Sequence, residues 1–375
     1  MEKIKRVLQI SIGLTVFGGV EQILYQIYKN IDKEKVQFDF LSPNLTTYDI
    51  HKQEIINSGG KIIELQANRE RIKGKILYNY RLFKFLKKNQ YEIVHINSGA
   101  FFFCLQVAII CKICGIKKVI IHSHNAVKMN GVKKIVKNIL KPVLNLLADD
   151  KFACSKLAAD AMFCKREIER GNIRIIKNGI DIDKFTFNEE IRNRYRKELD
   201  IQEKIVYGNV ARFDKEKNHE FLIDVFFEIQ KIQENAVLLL IGEGTLKNSI
   251  EEKTKKLNID KKVFFLGVRK DVNKIMQAID CIIMPSFYEG LPVVGVEAQT
   301  TGLTLICSDR ITTELKLLDT TQFVSLDLKA EEWAKKICNE QFNNCEYRKR
   351  AYNLARENGY DIKMVAKEIE NIYLN

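Results

Sequence analysis

At 375 residues the chain is long for a single core and predicts two domains, and its 46% hydrophobic and 29% charged residues exclude a disordered or fibrous protein. The net charge of +13 is lopsided: residues 1–185 hold 32 Lys and Arg against 17 Asp and Glu, whereas 186–375 hold 29 against 31. That surplus leaves two readings of the first half, a solvated lysine-rich surface or a surface that meets something anionic, whether membrane, phosphorylated lipid or nucleic acid.

Met1–Arg6 leads into the apolar run VLQISIG with no small-residue cleavage site, so no secretory leader is expected. Short β-rich runs then recur as RVLQIS (6–11), QFDFLS (37–42), KIIEL (61–65), IVHINS (93–98), KVIIHSH (118–124), DKFACS (150–155) and IRIIKNG (173–179). Each is separated from the next by a stretch long enough for a helix. Near-continuous apolar strands alternating with helices predict a parallel sheet covered on both faces. Within this series FFFCLQVAIIC (101–111) stops at Lys112, well short of the roughly 20 residues of a spanning helix, and predicts a buried helix. Further on, Lys128, Lys133, Lys134, Lys137 and Lys141 thread an apolar pattern of Val127, Val132, Ile135, Val136, Ile139 and Leu140, the mark of a basic amphipathic helix suited to anionic lipid. His95 reads as core and His122 as structural, and Ser155 is placed to cap the helix SKLAADAMF.

The charged stretch from Asp183 to Lys204 breaks the rhythm and is the candidate linker, with Asp181-Ile182-Asp183 read as a turn at the junction. A second series follows: IVYGNVA (205–211), VLLLIGEG (237–244), VFFLG (263–267), CIIMPS (281–286), TLICS (304–308) and TQFVSL (321–326). The expected organisation is an α/β chain of two Rossmann-like, doubly wound parallel-sheet domains, 1–183 and 205–358, joined by 184–204, with a helix over 359–375 able to pack back across the boundary. Tandem open sheets would set the carboxyl ends of their strands on a central cleft. The nine cysteines fall mostly in apolar contexts, and Cys111-x-x-Cys114 has no second pair to complete a zinc site, so reduced core thiols and a reducing cytoplasm are expected.

Chemistry concentrates in the loops of the second series. In GNVARFDKEKNHEF (208–221), Arg212 follows a strand and Lys217 comes five residues later, two cations able to clamp a diphosphate or simply surface charge. In IGEGTLKNSIE (241–251), Gly242, Glu243 and Gly244 give either close backbone approach to a ligand or a plain turn, without the G-x-G-x-x-G form. In SFYEGLPVVGVEAQ (286–299), Glu289 lies in the loop beyond a strand, Gly290 clears space, Pro292 suits a first helical turn and Glu297 falls two turns on. The Gly290 and Leu291 amides at a helix start favour anionic or hydroxylated ligands, and two carboxylates can accept hydrogen bonds from two sugars.

SFYEGLPVVGVEAQTTG resembles the E-x7-E signature of retaining glycosyltransferases of family 4, which have the GT-B fold. The likeness covers almost the whole chain, since Gly18-Gly19, ARFDKEKN, IGEGTL, VFFLGVRKDV and the terminal helix occur in the family's order. HSHNA (122–126) and EAQTTGL resemble the bacterial members that build exopolysaccharide or capsule. The resemblance implies that Arg212 and Lys217 bind the nucleotide diphosphate, that Glu297 holds the ribose, and that Glu289, Gly290, Leu291 and Pro292 meet the donor hexose. It places Gly242, Glu243 and Val268 at the donor site, Gly18 and Gly19 near the phosphates from the other domain, and His124, which a purely structural hydrogen-bonding role would also suit, near donor sugar and acceptor. Ala211 stands where glycine is commoner, and Leu303-Thr304 replaces the usual proline; neither removes a polar contact.

A hexosyltransferase with a UDP-linked donor and a glycan or polyprenyl-diphosphate-linked oligosaccharide acceptor is therefore expected, acting with retention, as the family implies. No Asp-x-Asp lies at a strand end, so no metal or other cofactor is expected. The expected setting is cytoplasmic, with an anionic membrane surface at the inner face of the cell membrane as candidate partner. One alternative is a UDP-N-acetylglucosamine 2-epimerase of the same fold, against which the E-x7-E pairing speaks. Another is a nucleic-acid-binding module; the aromatics at 101–103 lack the interleaved cations of a stacking platform, so no nucleic acid is expected.

Overall fold

The computed structural model describes residues 4–12, 19–42, 51–67, 72–125 and 129–375. The chain divides into two compact units, residues 1–180 with 361–375, and residues 181–360.

The first unit runs β1 (Lys5–Ser11), α1 (Gly19–Asn30), β2 (Val36–Ser42), α2 (Lys52–Asn57), β3 (Lys61–Glu64), α3 (Ile72–Lys88), β4 (Ile93–Asn97), α4 (Phe101–Ile113), β5 (Lys118–Ser123), α5 (Gly131–Leu147), β6 (Asp150–Ala153), α6 (Lys156–Met162), α7 (Lys165–Glu169) and β7 (Arg174–Ile175). Its seven strands are all parallel, in the order β3-β2-β1-β4-β5-β6-β7. Strands covered on both faces are mainly apolar, and β2 is buried at every position, Gln37, Asp39 and Ser42 included. Its one carboxylate, Asp39, is satisfied by Arg6 at 2.6 Å and by the Tyr91 hydroxyl at 2.7 Å. Helix α4 is the buried helix expected from 101–111, with Phe101, Cys104, Val107, Ala108 and Cys111 in the core. Ser155 caps α6, its hydroxyl accepting from Ala158 N at 3.1 Å.

The second unit runs α8 (Ile182–Phe185), α9 (Glu189–Glu198), β8 (Ile205–Val210), α10 (His219–Ile232), β9 (Ala236–Ile241), α11 (Lys247–Lys256), β10 (Val263–Gly267), α12 (Val272–Ala278), β11 (Cys281–Met284), α13 (Val293–Thr300), β12 (Thr304–Ser308), β13 (Thr321–Val324), α14 (Ala330–Cys338) and α15 (Cys345–Glu357). Six parallel strands follow the order β10-β9-β8-β11-β12-β13 around a core that includes Leu238, Leu240, Phe226 and Trp333. The charged stretch 184–204 is ordered. Arg192 and Arg196 of α9 both reach Asp280, at 2.5 and 2.6 Å, and fasten that helix beside α12. Asp181-Ile182-Asp183 opens the single-turn α8.

The last helix, α16 (Ile362–Leu374), belongs to the first unit. The chain leaves that unit at Ile180 and returns at Asp361, and these two residues form a parallel bridge with Ile362 N donating to Ile180 O at 3.0 Å. A side chain at Gly179 would stand 2.9 Å from Ile362 Cα, which is why only glycine fits there. Beyond it, Lys5 and Lys118 donate to the Leu374 and Ile372 carbonyls at the helix end, where cations are favoured.

Candidate functional site

In the second unit the winding reverses beside β8: strands accumulate on one side through β9 and β10, then on the other through β11, β12 and β13. Open α/β sheets bind ligands outside the carboxyl ends of their strands at such a switch point. Arg212 follows β8 and Glu289 follows β11, so the topology alone sets both loops there.

Three hydrogen bonds to backbone carbonyls lock the two segments together. Asn209 Nδ2 donates to Ile283 O at 2.7 Å, Asn218 Nδ2 to Pro285 O at 3.1 Å, and Phe287 N to Glu216 O at 2.9 Å. Asn218 holds φ 56° and ψ 42°, a left-handed corner that Asn tolerates better than most residues, and it turns the chain from residues 215–217 into α10. Lys217 Nζ makes an ion pair with Glu289 Oε1, which also accepts from Ser286 Oγ at 3.1 Å. An ammonium has three donors, so Lys217 can hold Glu289 and a second anion together. Arg212 is 54% exposed and pairs with Asp214 at 3.0 Å. An exposed pair of that kind contributes little, so the guanidinium is readily surrendered to a ligand.

Glu297 is different. It lies in the second turn of α13, partly buried, and no cation or hydrogen-bond donor among the described residues partners its carboxylate. Burial pushes its pKa up to about 7. An unpaired carboxylate held in a low-dielectric setting is costly unless a ligand supplies its hydrogen bonds. Pro292 sits at the helix N-cap with extended ψ of 117°, one residue before the first turn where the sequence had placed it. Leu291 is buried, and Glu289 bridges Ile311 beyond β12.

The glycines at 242 and 244 have a specific local duty. A Cβ on Gly242, at φ +143°, would stand 2.1 Å from Ala211 O, and one on Gly244 would stand 2.6 Å from Phe213 N. Their missing side chains let the loop after β9 close against the Arg212 loop, where Phe213 N donates to Glu243 O at 3.1 Å and Leu246 N to Phe213 O at 3.0 Å. Glu243 pairs with Lys247 at 2.7 Å, and Val268, just past β10, is exposed.

In the first unit the switch lies between β1 and β4. Gly19 opens α1, with open space where a Cβ would be; Gly18 falls outside the described residues. His124 follows β5 and is buried between two side-chain amides, Nε2 3.1 Å from Asn97 Oδ1 and Nδ1 3.3 Å from Asn178 Oδ1. The Asn97 NH2 is taken by Gln9 Oε1 at 2.9 Å and His95 O at 3.1 Å, which turns its oxygen toward the ring. Burial lowers the His124 pKa to about 4, so the ring is neutral at physiological pH. His122 packs against it at 3.9 Å and His95 against His122 at 5.5 Å; both are fully buried, as expected for His95, whereas His122 is held by ring packing.

Several partners escape a sequence reading. Ser286 on Glu289, Asn97 and Asn178 on His124, and Tyr288, whose hydroxyl donates to Glu216 at 2.5 Å, carry no local signal. Gln299 does. It lies two residues after Glu297 in an otherwise buried helix, and a buried amide must be hydrogen-bonded.

Two parallel-sheet Rossmann-like domains, the second with cations and carboxylates on the loops around its switch point, define a GT-B glycosyltransferase. Residues 17–184 match the family model described as Glycosyltransferase Family 4, and residues 191–358 match Glycosyl transferases group 1; the chain belongs to this family of glycosyltransferases. EpsF of Bacillus subtilis (strain 168) is 29% identical over 377 residues, covering 98% of this chain and 96% of its own. The Escherichia coli UDP-Gal:alpha-D-GlcNAc-diphosphoundecaprenol alpha-1,3-galactosyltransferase is 25% identical over 78% of each chain. Among solved structures, Anabaena Alr3699/HepE in complex with UDP and glucose shares the fold with a TM-score of 0.75 at 17% identity, over 98% of this chain and 99% of that one.

Proposed function

We propose that this glycosyltransferase moves a hexose or N-acetylhexosamine from a UDP-linked donor, with retention and without a metal, to a polyprenyl-diphosphate-linked oligosaccharide in exopolysaccharide, capsule or O-antigen assembly. The observation that carries the reading is Glu297, a partly buried carboxylate with no partner among the described residues, in the helix that follows the Lys217–Glu289 loop. Arg212 and the spare donors of Lys217 receive the diphosphate and stabilise the charge that builds on it as the glycosidic bond breaks. Glu297 accepts from the ribose hydroxyls, and Glu289, held by Lys217 and Ser286, accepts from the sugar. Neutral His124 serves the donor sugar and acceptor from the first unit. The UDP in the Anabaena complex and the undecaprenol-linked substrate in the name of the Escherichia coli relative favour this donor and acceptor class.

A thermal-shift panel of nucleotide sugars tests it. The correct donor at a hundredfold excess over its Kd should stabilise by about 2.7 kcal/mol. Arg212→Ala and Glu297→Ala should lose that shift while still unfolding cooperatively without ligand. A panel in which no nucleotide sugar shifts the wild type, or in which both variants respond as it does, refutes the assignment. Donor incubated alone should yield no epimer.

A further inference from the structure

Helix α5 turns its apolar stripe away from the protein. At about 100° per residue, Val132, Ile135, Val136, Ile139, Val143 and Leu146 fall within one arc of roughly 100°. All six are exposed: Leu146 by 83%, Val132 by 75%, Ile139 by 68% and Ile135 by 61%. Lys134, Lys137 and Lys141 fall on the opposite side, where Lys137 is buried and Lys141 Nζ donates to Asp160 O of α6 at 2.6 Å, and Lys133 lies between that side and the stripe. The side facing the unit buries Leu144 and Asn145 as well. A helix on a globular protein ordinarily places such a stripe on the core, and six adjoining aliphatic side chains left in water mark an interaction surface.

We infer that this stripe is a docking surface for an anionic lipid bilayer, with α5 lying in the plane of the headgroups and its six apolar side chains entering the acyl boundary. Charge selects this occupant over a second copy of the chain. From residue 93 to residue 148 the sequence has eight lysines and no Asp or Glu, and no carboxylate among the described residues pairs with Lys133, Lys134, Lys137 or Lys141. A two-fold contact would bring two such segments face to face, like charge on like. A bilayer surface instead offers phosphates to Lys133, which is exposed on the flank of the stripe and can extend along the helix toward headgroups. Among the described residues no helix is long and apolar enough to cross a membrane, so the contact is interfacial. The apolar stripe, rather than the lysine face the sequence emphasised, is the contacting element. This inference stands apart from the donor and acceptor proposed above.

The test is sedimentation of the full chain with phosphatidylglycerol-phosphatidylcholine vesicles and with pure phosphatidylcholine vesicles. Wild type should pellet with the first and much less with the second, and rising salt should release it. Ile139→Glu with Leu146→Glu should reduce partitioning roughly tenfold or more, because two aliphatic side chains no longer leave water, with melting temperature unchanged since both side chains already face solvent. Lys133→Gln should narrow the preference for the anionic vesicle. In a separate variant, Leu146→Trp, emission should shift to shorter wavelength on adding anionic vesicles and be quenched by brominated acyl chains. No pelleting of the wild type, equal pelleting of the glutamate variant, or no shift from the tryptophan overturns the inference. A wild-type dimer that the glutamate variant converts to monomer, with no vesicle binding, assigns the stripe to a second copy instead.

Discussion

The property that sets Glu297 apart is a proton held too long. Its carboxyl ionises ordinarily near 4.5 and in the fold near 7, because burial penalises the anion. Between those values the folded chain keeps a proton that the unfolded chain has released. The contribution to stability is therefore full below about 4.5 and is lost as pH rises to about 7. Glu297→Gln should melt with wild type at pH 5 and about 4 °C above it at pH 8. Ligand binding runs the other way, since only the anion accepts from two hydroxyls. Donor affinity should rise toward pH 7 in wild type and stay flat in the Gln variant, measured by titration calorimetry across pH. A carboxyl with a purely structural role would shift the melting curve and leave the affinity profile alone.

At the scale of elements, α13 is held where it is by Gln299. The buried amide donates to Gly295 O at 3.0 Å and Leu315 O at 2.7 Å, and its oxygen accepts from Leu317 N, Leu318 N and Thr321 Oγ1 at 2.7, 3.0 and 2.7 Å. One side chain thus pins the helix bearing Glu297 to the segment leading into β13. Gln299→Ala leaves the Leu317 and Leu318 amides, the second buried, and the buried Thr321 hydroxyl without their acceptor and should cost about 2–4 kcal/mol in guanidinium unfolding, with weaker donor binding. The thirteen strands were legible because parallel strands buried on both faces read as continuous apolar runs, and most differ from their sequence bounds only at the ends. Strand β7 shrinks from 173–179 to Arg174–Ile175 at the sheet edge, where a strand has a partner on one side only. The direction of α5 was not legible. Periodicity reveals that a stripe exists, and a core and a bilayer ask for the same residues. Nor was the Lys217–Glu289 pair, 72 residues apart, since local spacing carries no long-range partner.

The whole molecule closes on itself in the first unit, and that closure reaches His124. From the last helix inward, the Tyr373 hydroxyl lies 2.5 Å from His95 Nδ1 and accepts from Gln9 Nε2 at 3.0 Å. Gln9 Oε1 accepts from Asn97 Nδ2, and Asn97 Oδ1 faces His124 Nε2. The members are buried, where an unmade hydrogen bond is costly, and the direction of each bond in this series constrains the next, while His95 Nε2 has no partner among the described residues. His124 stands between two amide oxygens and could donate from either nitrogen. The orientation of Asn97, fixed from residue 373 through residue 9, selects Nε2–H. Tyr373→Phe removes the acceptor of Gln9 Nε2 and frees that amide to turn over, which would present NH2 to Asn97 and turn it over in its turn. The His124 proton should then move to Nδ1, toward Asn178. Nitrogen-15 shifts of the ring should report a single Nε2–H form in wild type and a mixture or the Nδ1–H form in the variant, with turnover lowered and donor affinity retained because Glu297 and Lys217 are untouched. Unchanged ring shifts in a folded Tyr373→Phe variant would show that Asn97 is held by His95 O alone.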